Sequence, residues 1–399
     1  IDKFDKKSEV IDLLESFIDS DFTVDMIETK PSKSSPSPPF TTSSLQQSAS
    51  NRLGFSVSRT MSTAQKLYEA GFITYMRTDS TALSNDAVSN MERYILANYG
   101  DKYLEKRKYT TKAKVAQEAH EAIRPTDVYK LNCGADDSQK KLYNLIWERS
   151  ICSQMSNAIF DKTNMNIVTD NKHRSVFQSK GQMIKFDGYL RAQNDISNSS
   201  KKDKLLPSLK LGDKVLYRVI NGNEKYTKSP SRFTEASLVK KMEDLGIGRP
   251  STYAPTISVI QKREYVLKED VLGVEKEHVN LMLNEGQISE LVVQDFIGAE
   301  KKKLIPTEIG TITNNFLVEN FNDILDYNFT AKVESQFDDI ACGKEIWQDM
   351  LSNFYKDFEP QVLTVDKNSG KVTGIRTLGV DPDSGKNVYV RLGKYGPIA

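Results

Sequence analysis

Apolar residues recur at three- and four-residue spacing through much of the chain and at alternate positions elsewhere. The changes between those two periods divide it. Val10, Leu13, Leu14 and Phe17 predict a helix over Val10 to Ile18, and DFTVDMIETK then alternates like a strand. Pro31 to Phe40, PSKSSPSPPF, is crowded with proline and serine and reads as a connector. A run of helices follows. One begins behind the caps Thr41, Thr42 and Ser43 and stops at Gly54, and a second runs from about Ser62 to Ala70 before Gly71. A third starts behind Ser84 with Val88, Met91, Ile95 and Tyr99 on one face, ending at Gly100. A fourth covers AQEAHEAI and stops at Pro125; another spans Ser138 to Asn157, with Leu142, Leu145, Ile146, Ile151 and Met155 inward.

From Thr163 to Val219 the runs MNIVT, SVFQS and KVLYRVI alternate and predict antiparallel strands, interrupted by the polar loop NDISNSSKKDK. If the strand before Pro31 pairs with them, the helical stretch is an insertion into a β-rich domain. From about Ser231 helices return. Thr234 caps one with Leu238, Val239, Met242 and Leu245 as its apolar stripe, ending at Gly246. GIGRP turns into SVIQKR, then strand-like EYVLK and VLGVE, the outline of a winged helix-turn-helix. GTITNNFLVENF and TAKVESQFDDIACG read as further helices, and TLGVDPDSGKNVYVRLG as a hairpin. The expected fold class is multidomain α+β. The expected boundaries are a β-rich domain at 1–34 and 162–230, a helical domain at 35–161, a mostly helical domain at 231–360, and a last element at 361–399.

Composition narrows the function classes. With 399 residues and 38% hydrophobic content the chain can build its own cores. Lys plus Arg number 55 against 54 Asp plus Glu, so no global basic field marks a nucleic-acid partner and any such site is local. Three cysteines, Cys133, Cys152 and Cys342, lie far apart with no CxxC pair, which argues against a disulfide framework or a cysteine zinc site and suits a reducing cytoplasm. No apolar run is long enough to span a bilayer, and the first residues carry no signal-peptide core. Both ends look cut from something longer.

In GFITYMRTDS, Tyr75 and Arg77 lie two positions apart in an extended stretch after a helix end, a spacing that places both on one side. A tyrosine hydroxyl, with a pKa near about 10, is a poor nucleophile until a cation or base favours its ionised form. Arg77 offers that cation and a planar fork for phosphate. Taken alone, one of 17 tyrosines beside an arginine is far more often packing or snorkelling surface. His120 and Arg124, four apart in QEAHEAIRP, suit a phosphate, or with Glu118 and Glu121 an ordinary salt-bridged surface. GIGRPSTYA sets glycines, Arg249, Ser251 and Thr252 ahead of a helix start, which fits a phosphate or a plain turn. DPDSG lacks the spacing of a calcium loop and reads as a hairpin turn, and no Walker, dinucleotide or HExxH motif supports ATP, NAD or zinc chemistry.

In this order, FTTSSLQQSASNRLGFS, TAQKLYEAGFITYMRTDSTALS, AQEAHEAIRPTDV, FTEASLVKKMEDLGIGRPSTYAPTISVIQKREYV and YNFTAKVESQFDDIA resemble type IA DNA topoisomerases of the bacterial topoisomerase I kind. The resemblance implies a toroidal gate core and ATP-independent relaxation of negatively supercoiled DNA through a 5′-phosphotyrosyl intermediate. It makes Tyr75 the nucleophile and Arg77 the holder of the scissile phosphate. Thr74, Gln65 and Glu69 become active-site support, and His120 a contact near the break. Arg249, Ser251, Thr252 and Arg263 fall in the single-strand-binding domain, with Arg124 and Thr78 completing the DNA-contacting set. Family members open with a TOPRIM domain holding Mg2+ on a DxDxxG-type cluster. This sequence has none, so the ligands are expected in that absent domain, no metal is expected in this chain, and the chain is expected to be inactive alone. The implied partners are single-stranded and negatively supercoiled DNA and the TOPRIM domain, with no membrane, for a monomer in the nucleoid of a bacterial cytoplasm. The end of the chain resembles the start of a C-terminal topoisomerase repeat. A decatenating topoisomerase III, a duplex-reading DNA-binding module and a tyrosine recombinase are the alternatives.

Overall fold

A computed structural model describes residues 4–109, 120–197, 205–368, 376–393 and 396–398. The chain opens with helix α1 (Lys7–Glu15) and a long strand β1 (Phe22–Ser34). Helices α2 (Thr42–Leu53), α3 (Val57–Glu69), α4 (Asn85–Asn98) and α5 (Asp137–Ser153) follow, and the chain then returns as β2 (Ala158–Thr169) and β3 (Val176–Phe186). β1 pairs antiparallel with β2 from Phe22↔Thr169 to Ser34↔Ala158. The helices therefore leave a sheet and return to its next strand.

Two details depart from expectation. β1 runs through Pro31, which sits opposite Asp161, to Ser34. A proline without an N–H is tolerated there because β1 is the edge of the β1-β2-β3 sheet. α3 starts at Val57, earlier than expected, since the Ser56 hydroxyl caps the Arg59 N–H. α2 starts as expected, with a reciprocal cap between Thr41 and Ser44, and ends at Gly54 with φ +68°. Leu45, Ala49, Ala64, Leu67, Met91, Ile95, Leu142, Ile146 and Trp147 interlock in one buried core. Trp147 is admitted because its indole N–H donates to the Val128 carbonyl at 2.9 Å.

After β3 come α6 (Leu190–Ser197), β4 (Val219–Asn223), α7 (Glu235–Leu245) and α8 (Tyr253–Lys262). KVLYRVI is a strand only at its end. Its first residues instead run beside β1, where Val215 N–H donates to the Phe22 carbonyl. Then β5 (Val266–Val271), β6 (Val274–Asn284), β7 (Gln287–Ile297) and β8 (Glu300–Pro306) interrupt what was expected to be a mostly helical region. β6 and β7 form a long hairpin, turning at Glu285 and Gly286 with φ +48° and +76° as a two-residue hairpin loop requires. β4 pairs with β6, and Leu281 and Leu283 join Leu14, Phe17 and Phe22 in one core. α1 lies so close to β4 that a Cβ on Gly222 would come within 2.7 Å of Val10. The hairpin thus belongs to the β-rich part, although it lies far along the chain.

The remaining elements are α9 (Glu308–Asn320), α10 (Asn322–Leu325), α11 (Tyr327–Ala341) and α12 (Trp347–Asn368), then β9 (Arg376–Val380), β10 (Asn387–Gly393) and β11 (Gly396–Ile398). β9 and β10 form the expected hairpin. α9 to α12 are tied by phenylalanine contacts, among them Phe321 against Phe358 at 6.0 Å and Phe329 against Phe354 at 5.9 Å.

Candidate active site

α3 ends at Glu69 and Gly71, with φ +73°, turns the chain back along the surface of the helical unit. Ile73 and Met76 face the core at 1% exposure, which leaves Tyr75 half-buried and Arg77 exposed. The loop is braced by residues 120–126. Thr74 N–H donates to the Arg124 carbonyl at 2.9 Å, Arg124 N–H returns a bond to Thr74 Oγ1 at 3.0 Å, and Thr74 Oγ1 donates to the Ala122 carbonyl at 2.7 Å. Thr74 is a backbone strut behind the tyrosine.

This bracing departs from the helix expected over AQEAHEAI in its described part, His120 to Ile123; residues 116–119, Glu118 among them, lie outside the described residues. Residues 120–124 are extended, with Ile123 N–H donating to Phe40 and Ala122 N–H to Ala82. Ala and Glu favour helix locally, but pairing with neighbouring backbone outweighs that weak preference. The extended course brings the His120 ring to 5.5 Å from Tyr75, whose other neighbour is Tyr68 at 5.3 Å. Arg124 is drawn aside. It pairs with Glu121 at 2.6 Å and donates to the Pro125 carbonyl, and its side chain is 16% exposed. Burial raises the Glu121 carboxyl, but the Ser84 hydrogen bonds and the Arg124 charge win and hold it below its usual range.

Gln65 and Glu69 lie one turn apart on α3, joined by a 2.7 Å hydrogen bond. Gln65, Arg77 and Ser251 line one cleft of about 280 Å³ between α3 and the start of α8. The sequence reading put Gln65 and Arg77 at the nucleophile and Ser251 in the strand-binding region, and the structure sets the three along one cleft. Thr78 and Arg263 fall elsewhere. Thr78 is 2% exposed, its Oγ1 accepting Ser80 N–H and its backbone bonded to Thr42, so it shapes the loop and does not face a ligand. Arg263 is exposed at the opposite end of α8 and takes no part in lining the cleft.

The second wall is the GIGRPST turn. Thr252 Oγ1 accepts the Arg249 N–H at 2.8 Å, closing it. Gly248, at φ +82°, has no room for a side chain, since a Cβ would meet Thr252 Oγ1 at 2.9 Å. The Arg249 guanidinium is committed to Glu334 at 3.0 Å and Asp338 at 3.2 Å.

Sequence reasoning missed what joins the two walls. Val57 and Met61 of α3 pack with Val239, Met242, Tyr253, Ala254 and Ile257 of α7 and α8. Glu235, 6% exposed, accepts the Val57 N–H and is paired with Lys268, both at 3.0 Å. The Ser43 hydroxyl donates to Glu243 at 2.7 Å. Burial raises the Glu243 carboxyl, with Asp244 and Asp79 adding to the shift. Asp79 is raised as well, by burial, against the pull of Arg249 and His120. These partners lie as far as 200 residues apart, and no local pattern links them. Among the described residues no group of three His, Cys, Asp or Glu is arranged to hold a metal ion.

The family model described as DNA topoisomerase matches residues 1–278 and 284–352. The chain belongs to the DNA topoisomerase family. It is 41% identical over 377 residues to DNA topoisomerase 1 of Rickettsia bellii, covering 90% of this chain and 43% of that topoisomerase. It is 40% identical over 402 residues to DNA topoisomerase 1 of Campylobacter jejuni, 96% of this chain and 52% of that one. Among solved structures it matches full-length topoisomerase I from Thermotoga maritima, with a TM-score of 0.73 at 30% identity over 100% of this chain and 61% of that one. The α+β multidomain architecture is therefore that of a topoisomerase I. The chain spans about half the length of the curated topoisomerases it matches. The span matched by the family includes the tyrosine loop, the GIGRPST turn and α11.

Proposed function

We propose that this chain carries the nucleophile and the strand gate of a type IA topoisomerase that relaxes negatively supercoiled DNA without ATP. The observation that carries this reading is the cleft into which Arg77, Gln65 and Ser251 open, at the foot of the loop that presents Tyr75. The Tyr75 hydroxyl oxygen attacks the phosphorus of a single-stranded phosphodiester; its proton passes to solvent, a phosphotyrosyl bond forms, the bond to the 3′ oxygen breaks, and that oxygen takes up a proton to become the 3′ hydroxyl. The downstream strand stays on Tyr75 through its 5′ phosphate, and the 3′ hydroxyl reseals the break by the reverse step, so bond energy is conserved and no nucleotide is consumed. Arg77 steadies the phosphate charge as it develops. His120, against the tyrosine ring, limits where the hydroxyl can point.

Thr74 holds the loop through its two backbone contacts. Gln65 and Glu69, coupled on α3, supply polar groups beside Arg77. Ser251, Thr252 and Arg249 guide the entering single strand. Mg2+ belongs to the reaction through a TOPRIM segment, which would supply charge and proton management at the leaving 3′ oxygen; without that segment the chain is inactive. The helical unit that carries α2 to α5, set between β1 and β2, swings as the gate on the β-rich hinge. The protein acts in the bacterial cytoplasm, and no described helix is long and apolar enough to cross a membrane. Relatives named DNA topoisomerase 1 support this reading over a topoisomerase III.

The test mixes the chain with a separately expressed TOPRIM segment, Mg2+ and oligonucleotides labelled at either end. A denaturant-resistant adduct should retain the 3′-labelled strand only and vanish in Tyr75→Phe. An adduct that retains the 5′ label, or that survives Tyr75→Phe, contradicts the reading.

A further inference from the structure

Arg249 is read as a residue that guides the entering strand, yet two of its guanidinium nitrogens, Nε and Nη2, are taken by carboxylates. Nε donates to Glu334 Oε2 at 3.0 Å and Nη2 to Asp338 Oδ2 at 3.2 Å. The two carboxylates stand one turn apart on α11 and come from more than 80 residues away, so they converge on Arg249 only in the fold. The Arg249 side chain is 27% exposed, and those of Glu334 and Asp338 are 26% and 37% exposed. Burial lowers the guanidinium pKa, but these carboxylates, with Asp79 behind them, more than reverse that. Two anionic oxygens in front of the fork are what a phosphodiester also presents.

We propose that Glu334 and Asp338 are a built-in stand-in for the DNA phosphate, which holds Arg249 while no strand is present and surrenders it when a single strand enters. The inference rests on the reading of the GIGRPST turn as a strand contact. A phosphate that reaches Arg249 without displacing them meets two, and with Asp79 three, negative charges. The exchange therefore sets a threshold for strand entry. α11 buries none of its residues, so its side chains can rotate away without unpacking a core.

The test is a fluorescence-anisotropy titration of a labelled oligothymidylate with the chain and with Glu334→Gln, Asp338→Asn, the double variant, Arg249→Ala, and the double variant combined with Arg249→Ala. Gln and Asn keep shape and one acceptor, which limits effects on folding. The double variant should bind about three- to tenfold tighter. Its affinity should fall more steeply with salt between about 50 and 200 mM, by up to about one unit of slope. With Arg249→Ala the gain should disappear. If the parent chain binds, and the double variant binds equally or more weakly, the carboxylates merely brace Arg249 and this inference alone fails. If the parent chain and every variant fail to bind the oligothymidylate, the strand-contact reading fails and takes the inference with it.

Discussion

The tyrosine loop and the GIGRPST turn are built alike and poised differently. Each leaves a helix through a glycine in the left-handed region, Gly71 at φ +73° and Gly246 at φ +69°, and each carries an arginine within six residues. Their residues Arg77 and Ser251 face one cleft. Arg77 is exposed, with no carboxylate partner among the described residues, whereas Arg249 is held by two. The arginine read as serving the chemistry is thus open to an anion, and the arginine read as guiding the strand is masked. An exposed cation beside a tyrosine requires no rearrangement to receive a phosphate, while a masked one adds a condition on entry.

The sharpest way to break this contrast is Arg77→Ala. With the TOPRIM segment and Mg2+ supplied, single-turnover cleavage should drop by about a hundred- to a thousandfold, the scale for losing one charge-stabilising donor. A drop that small substitutions elsewhere in the cleft reproduce would deny Arg77 its special place. Next in size is Glu235→Ala, which strips the Val57 N–H of its acceptor and Lys268 of its partner. Leaving buried polar groups unmet costs about 1–3 kcal/mol, so chemical denaturation should show that loss, and hydrogen exchange should show faster exchange at the start of α3. Gly248→Ala should cost about 1 kcal/mol or more through strain at φ +82°, and weaken oligonucleotide binding without touching the tyrosine loop.

The smallest effect is on pH. The carboxyls of Glu243 and Asp79 titrate above their ordinary values of 4.5 and 3.8 because burial penalises the charged form. The folded state then binds protons more readily than the unfolded one. Stability rises as pH falls through the folded values and levels off below the ordinary ones. A thermal melt should therefore rise slightly from neutral pH toward mildly acidic pH, and Glu243→Gln, measured across the same range, should flatten that rise.

The helices were legible because period and caps agreed. Thr41, Gly54, Ser84 and Thr234 stand where the sequence puts them. The β6–β7 hairpin was passed over because its exposed face is rich in Lys, Glu and Gln and its turn, Glu285-Gly286, is not among the strongest hairpin pairs. Pro31 hid the end of β1, since only sheet order reveals that the strand lies at an edge. Tyr75 and Arg77 could be singled out through the motif that contains them, whereas their spacing alone suits ordinary packing. Asp79, Glu235, Glu243, Glu334 and Asp338 carry no local signal at all; their parts depend on partners brought together by the fold.

The proposed chemistry depends above all on Tyr75 forming the bond to DNA. The direct measurement is to trap the adduct with the TOPRIM segment, Mg2+ and an oligonucleotide, digest with trypsin and nuclease, and sequence the modified peptide by mass spectrometry. Cleavage after Lys66 and Arg77 places Tyr68 and Tyr75 in one peptide, so fragmentation must separate them. The trapped peptide should carry a nucleotide 5′-phosphate on Tyr75 with Tyr68 unmodified. A nucleotide on Tyr68, or on a peptide outside this loop, would contradict it.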